Sequence, residues 1–283
     1  MKKILITGKS GYIGLSLDKW LKNYPNKYSI DFISVRDDEW EKVTFSNYDV
    51  VFHAAGIAHI KETEKNADLY YLVNRDLSYQ LAQKAKAEGV SQFIFLSSMS
   101  VYGVEKGVID KSTPLEPKSH YGKSKLQAEK LITSIEDKEF KVAILRPPMI
   151  YGKGCKGNYP RLVNLALRLP FFPKINNKRS MIFIDNLCEF IRLLITDCSR
   201  GLYLPQNGDY VCTSEMVRLI TEVNGKEIKM TELFNPIVRH LNVKTINKVF
   251  GDLAYEKTLS HYNGNYNLYD FKSSILLTER GEK

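Results

Sequence analysis

Tyr121 and Lys125, in the run Tyr121-Gly122-Lys123-Ser124-Lys125, have the spacing that puts two side chains on one face of a helix, one turn apart. A tyrosine ordinarily titrates near ~10, and an ammonium beside it favours the phenolate. Such a pair could exchange a proton with a substrate oxygen near neutral pH. A tyrosine and a lysine four apart are commonplace on solvated helices, so the neighbouring residues must decide. The run Phe95-Leu96-Ser97-Ser98-Met99-Ser100-Val101-Tyr102-Gly103 ends a β-rich segment in serines. From there Ser98 could hydrogen-bond the same substrate oxygen, with Ser100 as a further substrate contact.

A second constellation could hold a phosphate group. Ile4-Leu5-Ile6-Thr7-Gly8-Lys9-Ser10-Gly11-Tyr12-Ile13-Gly14 reads as a strand, a glycine turn and the start of a helix. Glycines at 8, 11 and 14 remove Cβ atoms where the chain turns sharply and where backbone approaches a diphosphate at a helix amino terminus. Gly8, Ser10, Gly11, Tyr12, Ile13 and Gly14 are therefore the expected contacts of a dinucleotide cofactor. Gly8-Lys9-Ser10 is not a P-loop, because the glycine and four spacer residues that should precede the lysine are missing. Ala54, Ala55 and Gly56 follow the run Val50-Val51-Phe52-His53 and leave room for adenine or ribose. His53, among apolar strand residues, is expected to be a packed core group. Arg36, after the second strand, suits a ribose 2′-phosphate and tilts the expectation toward NADP(H); Asp37 or Asp38 could instead take the ribose of NAD(H).

The elements that must position these residues are legible as an alternation. Runs 3–6, 30–35, 50–53, 92–96 and 141–145 have strand character; 12–23, 70–88 and 121–135 carry apolar residues at helical spacing. Alternation of this kind predicts right-handed parallel crossovers and an α/β, doubly wound parallel sheet. After Arg146-Pro147-Pro148 the rhythm becomes irregular, with loops expected around 152–154 and 201–208. The expected division is a dinucleotide-binding domain at 1–146, to which part of 178–204 returns. A smaller carboxyl-terminal substrate-binding lobe is expected at 147–177 and 205–283.

Bulk properties narrow the classes. A chain of 283 residues, 43% hydrophobic and 26% charged, can bury a sizeable core. Its four cysteines stand singly, without metal-site spacing, so no metal is expected and a reduced, cytoplasmic setting is. The apolar run at the amino terminus breaks too early for an export signal, and no stretch is long enough to span a bilayer. A net charge of +9 is spread along the chain, which gives neither a nucleic-acid footprint nor a membrane-binding patch.

Taken together, Thr7 to Gly14, Asp49 to Gly56, Val73-Asn74, Ser97 to Gly103, Tyr121 to Lys125 and Arg146 to Gly152 resemble the extended short-chain dehydrogenase/reductase family, in its sugar-nucleotide epimerase/dehydratase group. The resemblance implies a Rossmann domain with Ser98, Tyr121 and Lys125 as catalytic triad. It further implies that Asn74 supports the cofactor site, that Pro148 passes the nicotinamide, and that Asn158 and Arg179 bind the diphosphate of a UDP-sugar, where a guanidinium fork suits the charge. A homodimer packed through helices that include 70–88 and 121–135 is implied as well. Dehydratases of the family carry an Asp-Glu pair just before Val-Tyr-Gly; Met99 and Ser100 stand there instead and cannot do that acid–base work. The expected reaction is NADPH-dependent reduction of the C4 ketone of a UDP-4-keto-6-deoxy-N-acetylhexosamine, as in bacterial reductases of capsule and O-antigen synthesis. An NAD-dependent UDP-sugar 4-epimerase is the alternative. A nucleotide sensor without chemistry would typically lack the tyrosine or the lysine, and both are present.

Overall fold

The computed structural model describes residues 1–58, 60–233, 235 and 249–280. Six short runs pair in parallel as one sheet: β1 (Lys2–Thr7), β2 (Tyr28–Ile33), β3 (Val50–His53), β4 (Gln92–Leu96), β6 (Lys141–Leu145) and β10 (Gly201–Tyr203). Their order is β10-β6-β4-β3-β1-β2. Covered on both faces, the central strands read as unbroken apolar runs instead of alternating ones; every residue of β3 and β4 is buried. This is the expected Rossmann-type, doubly wound sheet. Because β2 lies on one side of β1 and β3 on the other, the winding reverses between β1 and β3. In such sheets ligands bind outside the carboxyl ends of the strands at the reversal.

Helices α1 (Tyr12–Leu21), α2 (Ala67–Tyr71), α3 (Leu77–Ala87), α4 (His120–Ser134) and α6 (Ile184–Asp197) connect the strands. Leu5, Val51, Phe93, Phe95, Val142 and Ile144 from the sheet pack against Leu81, Ala82, Ala85, Ala128 and Ile132 from α3 and α4. Alanines at the contact let the two helices lie close. Burial of each large side chain contributes about 1.5–3 kcal/mol.

Three elements differ from the sequence expectation. Strand β2 starts and ends two residues early, because its register against β1 runs from Lys2↔Tyr28 to Thr7↔Ile33. The helix expected over 70–88 begins at Ala67 and is broken by a π-helical turn, Leu72–Asp76. The loop expected at 201–208 begins with β10, an edge strand with Gly201 and Leu202 exposed, whose burial pattern gives no strand signal.

The chain divides into two compact units. The first, Met1–Gly103, Pro114–Pro147 and Leu187–Pro205, holds the sheet. The second, Val104–Thr113, Pro148–Asn186 and Gln206–Lys283, contains three two-stranded parallel pairs: β5 (Gly107–Ile109) with β12 (Leu253–Tyr255), β7 (Met149–Tyr151) with β9 (Met181–Phe183), and β8 (Phe171–Pro173) with β11 (Lys229–Thr231). It also holds α5 (Asn158–Arg168), α7 (Thr213–Val223) and α8 (Phe271–Arg280). Segment 104–113, which the sequence reading kept within 1–146, falls in the second unit because β5 pairs with β12. Among the described residues no helix is long and apolar enough to cross a membrane, and no cluster of three or more His, Cys, Asp or Glu could hold a metal ion.

Candidate active site

The turn after β1 is built by its glycines. Gly8 has φ +91°, and a Cβ there would lie 3.3 Å from the Cβ of Ala55. At Gly14 a Cβ would come within 2.9 Å of Ile6 Cγ2, so α1 reaches the sheet only because no side chain intervenes. The turn is closed by Gly8 N–H to Ile33 O and Gly11 N–H to Gly8 O, both 2.9 Å. Helix α1 has Gly11 as N-cap, no side-chain cap and no acidic residue in its first turn. Its leading amides, at Tyr12, Ile13 and Gly14, follow the exposed Ser10 of the turn and suit an anion. This cradle fits the pyrophosphate of a dinucleotide.

Behind the cradle lies a closed polar network. Ser78 Oγ donates to Asn74 O at 2.9 Å, so it accepts from His53 Nε2 at 2.8 Å. His53 Nδ1 then accepts from Thr7 Oγ1 at 2.7 Å, and Thr7 Oγ1 accepts from Ala55 N–H at 3.3 Å. With both ring nitrogens committed and the ring fully buried, burial first and Lys125 second push the His53 pKa down to about 3. His53 is a neutral brace that fixes the carboxyl ends of β1 and β3.

Asn74 sits in the π-helical turn, which aims its amide at the loop after β3. Its Oδ1 accepts from Ile57 N–H at 2.8 Å, and its Nδ2 donates to Ile57 O at 3.0 Å and to Ser124 Oγ at 3.3 Å. A Cβ on Gly56 would lie 2.9 Å from Asn74 Oδ1 and 3.3 Å from Lys125 Nζ. Gly56 therefore permits the close approach that brings Lys125 against the loop bearing Ala54 and Ala55.

Tyr121 and Lys125 stand in the first turns of α4, whose N-cap Ser119 accepts from Gly122 N–H at 3.0 Å. Lys125 Nζ is buried, donates to Leu96 O at 2.9 Å and lies 4.5 Å from the centre of the Phe95 ring. Burial lowers its pKa to about 8, and Glu129 partly opposes the shift. The Tyr121 pKa is raised above 10.0, chiefly by burial; a hydrogen bond with Ser98 opposes the shift and Tyr70 adds to it. The expected drop in the phenol's pKa from the neighbouring ammonium is not found. The reason is geometric: the ammonium turns down onto the end of β4, and dehydration of the phenol dominates. Ser98 caps a 3₁₀ turn, Met99–Tyr102, by accepting from Ser100 N–H at 3.1 Å, and its hydroxyl lies 3.2 Å from Ser100 Oγ. Ser98 and Tyr121 are thus hydrogen-bond partners, and Lys125 stands one helical turn after Tyr121, against the end of β4.

A buried ion pair fixes this geometry, and the sequence reading missed it. Arg146 Nη2 donates to Glu129 Oε2 at 2.6 Å and its Nε to Oε1 at 3.0 Å; Ser97 Oγ also donates to this carboxylate, and Arg146 Nη1 donates to Tyr102 OH at 3.0 Å. Glu129 is one helical turn beyond Lys125 and ties α4 to the ends of β4 and β6. The available signal was a carboxylate four residues after the lysine on the same buried face.

The remaining predicted residues lie on other elements. Arg36 is exposed, three residues past the end of β2, with its backbone N–H 3.4 Å from Ser34 Oγ. Asp37 is engaged in capping a 3₁₀ turn, accepting from Glu39 N–H at 3.3 Å. In the second unit Pro148 precedes β7, Asn158 opens α5 after Gly157 at φ +99°, and Arg179 Nη1 donates to Gly251 O at 2.7 Å. Burial lowers the Arg179 pKa, opposed by Asp252.

A doubly wound sheet, a glycine cradle at its winding reversal and a Ser-Tyr-Lys group beside it define the short-chain dehydrogenase/reductase class. Residues 4–203 match the model of the NAD dependent epimerase/dehydratase family, and the chain belongs to that family of nucleotide-sugar epimerases, dehydratases and reductases. It is 34% identical over 246 residues to a UDP-glucose 4-epimerase of Vibrio cholerae, covering 77% of this chain and 74% of that protein. It is 30% identical over 217 residues to the N-acetyl-alpha-D-glucosaminyl-diphospho-ditrans,octacis-undecaprenol 4-epimerase of Escherichia coli O157:H7, covering 70% of this chain and 64% of that protein. The fold is similar to that of a UDP-glucuronic acid 4-epimerase from Bacillus cereus, with a TM-score of 0.73 at 19% identity, covering 99% and 98% of the two chains.

Proposed function

We propose that the protein carries out oxidoreduction at C4 of a hexose attached through a diphosphate, with 4-epimerisation of a UDP-hexose as the leading reaction. The observation that supports this reading is the pairing of the Ser98 and Tyr121 hydroxyls one helical turn from a buried Lys125, which itself lies against Gly56 in the loop after β3. Two relatives of 30% identity or more are named as 4-epimerases. NAD(P), when bound in the cradle, supplies or accepts the hydride. Ser98 holds the sugar O4 by a hydrogen bond. Tyr121 gives its phenolic proton to that oxygen or takes one from it. Lys125 spends one N–H on Leu96 O and keeps two donors for the ribose and the phenol. Met99 and Ser100 offer no carboxylate for elimination of water, which favours this chemistry over dehydration. Asn158 and Arg179 are assigned to the diphosphate, and Pro148 to the nicotinamide.

A second reading, NADPH-dependent reduction of a UDP-4-keto-6-deoxy-N-acetylhexosamine, is favoured by exposed Arg36, which suits a 2′-phosphate. Incubation with UDP-glucose or UDP-N-acetylglucosamine and catalytic NAD distinguishes the two: appearance of the C4 epimer supports the first. Stoichiometric NADPH consumption with the 4-keto sugar, and no epimer, replaces it with the second. Under either reading Tyr121→Phe should lower turnover at least about a hundredfold while cofactor affinity stays within a few-fold. Turnover at the wild-type rate defeats the assignment. A cytoplasmic homodimer is the proposed setting.

A further inference from the structure

The loop between β3 and α2 begins at the cradle and ends on the catalytic helix. Ala54 to Gly56 line the proposed cofactor site, and Ile57 is then held through both its N–H and C=O by Asn74. Tyr70 OH donates to Ile60 O at 3.1 Å, and Asn66 Nδ2 to Lys61 O at 2.9 Å. Glu62 follows, and its carboxylate reaches across to α4: Oε1 accepts from the backbone N–H of Tyr121 at 2.9 Å and Oε2 from that of His120 at 3.1 Å. Thr63 and Asn66 close the loop with a reciprocal cap.

The first turn of α4 contains no acidic residue. Of its first three amides, Ser119 satisfies that of Gly122, and the other two are satisfied only by a carboxylate borrowed from 58 and 59 residues upstream. A glutamate within the turn would serve the same amides locally and would link α4 to nothing. A carboxylate at a helix amino terminus is favoured by the free N–H groups and the helix dipole together. Here that preference is used to fasten the cofactor loop to the backbone of Tyr121.

We propose that Glu62 is a positioning residue that couples the cofactor-lining loop to Tyr121, so that order in the loop at 54–57 holds the phenol in place. The proposal rests on the reading of Tyr121 as proton donor and of 54–56 as cofactor contacts. It explains why a half-buried acid sits on a connecting loop with both oxygens spent on one helix end.

The test uses the full chain and its Glu62→Ala and Glu62→Gln variants, with amide hydrogen exchange read at residues 119–123, with and without NADH or NADPH. In the absence of cofactor, Glu62→Ala should exchange about tenfold faster than wild type at His120 and Tyr121, with Gly122 little changed. Glu62→Gln, which keeps one acceptor oxygen, should be intermediate. Cofactor should slow exchange at these amides in the wild type and not in Glu62→Ala, although both bind it. On a sugar turned over by the wild type, Glu62→Ala should lose about tenfold in kcat with KM for the cofactor changed less than threefold. Wild-type exchange rates in cofactor-free Glu62→Ala, or equal cofactor protection in both proteins, overturns the coupling. Failure of either cofactor to bind the wild type sinks the cradle reading instead, and the cofactor-free comparison still decides the clamp.

Discussion

At the scale of single residues, Lys125 and Tyr121 are set against each other by burial. The lysine's pKa falls to about 8 from 10.5 and the phenol's rises above 10.0. Below about pH 8 the site therefore holds an ammonium and a protonated phenol, which is the state needed to deliver a proton to a forming alkoxide. As pH rises through the Lys125 value the cation is lost first, while the phenol stays protonated. For the reduction half-reaction, kcat/KM should be flat from pH 6 to near 8 and fall above it; no fall by pH 9.5 would contradict this assignment of Lys125. The sequence spacing sufficed to pair Tyr121 with Lys125 on one helix. It did not reveal that the ammonium points at Leu96 O, because the identity of a hydrogen-bond acceptor on another element is not encoded in spacing.

At the scale of elements, the Glu129–Arg146 pair does for α4 what the glycines do for α1. It sets how a helix seats on the sheet. Glu129→Gln would leave the Arg146 cation buried and only partly paired, at a cost on the order of 3–5 kcal/mol. Thermal unfolding should drop clearly, while the double variant Glu129→Gln, Arg146→Met should recover much of the loss. A double variant as unstable as the single one would refute the ion-pair account. Elements with strong period or punctuation were legible: β3, β4 and β6 lie where their apolar runs place them, and Gly8, Gly11 and Gly14 mark the strand-turn-helix. Those set by tertiary partners were not. Strand β2 slid two residues to match β1, and the π-helical turn that aims Asn74 leaves no pattern in an otherwise helical run.

At the scale of the whole molecule, Leu69 and Leu72 are 41% and 61% exposed on α2 and the π-helical turn, which lie against α4. Exposed leucines beside one another suit the self-complementary face of a twofold dimer. Leu72→Glu should convert the proposed dimer to monomer in light scattering, with monomer fold retained; an unchanged mass would place the interface elsewhere. The lobe beyond Pro148 was the least legible part, since its strands are three residues long and pair with segments far away in the chain.

One consequence of β10 concerns how this protein is made. The sixth strand, Gly201–Tyr203, covers the edge of β6 only after the chain has left the sheet at Pro147 and come back at Leu187. Until then a ribosome-bound chain presents the backbone of Lys141–Leu145 as a bare edge, open to pairing with any neighbouring strand. A fragment cut at residue 147 should accordingly form aggregates on expression, and one extended to residue 205 should be recovered in larger soluble yield; equal recovery of the two would mean that the late strand is dispensable.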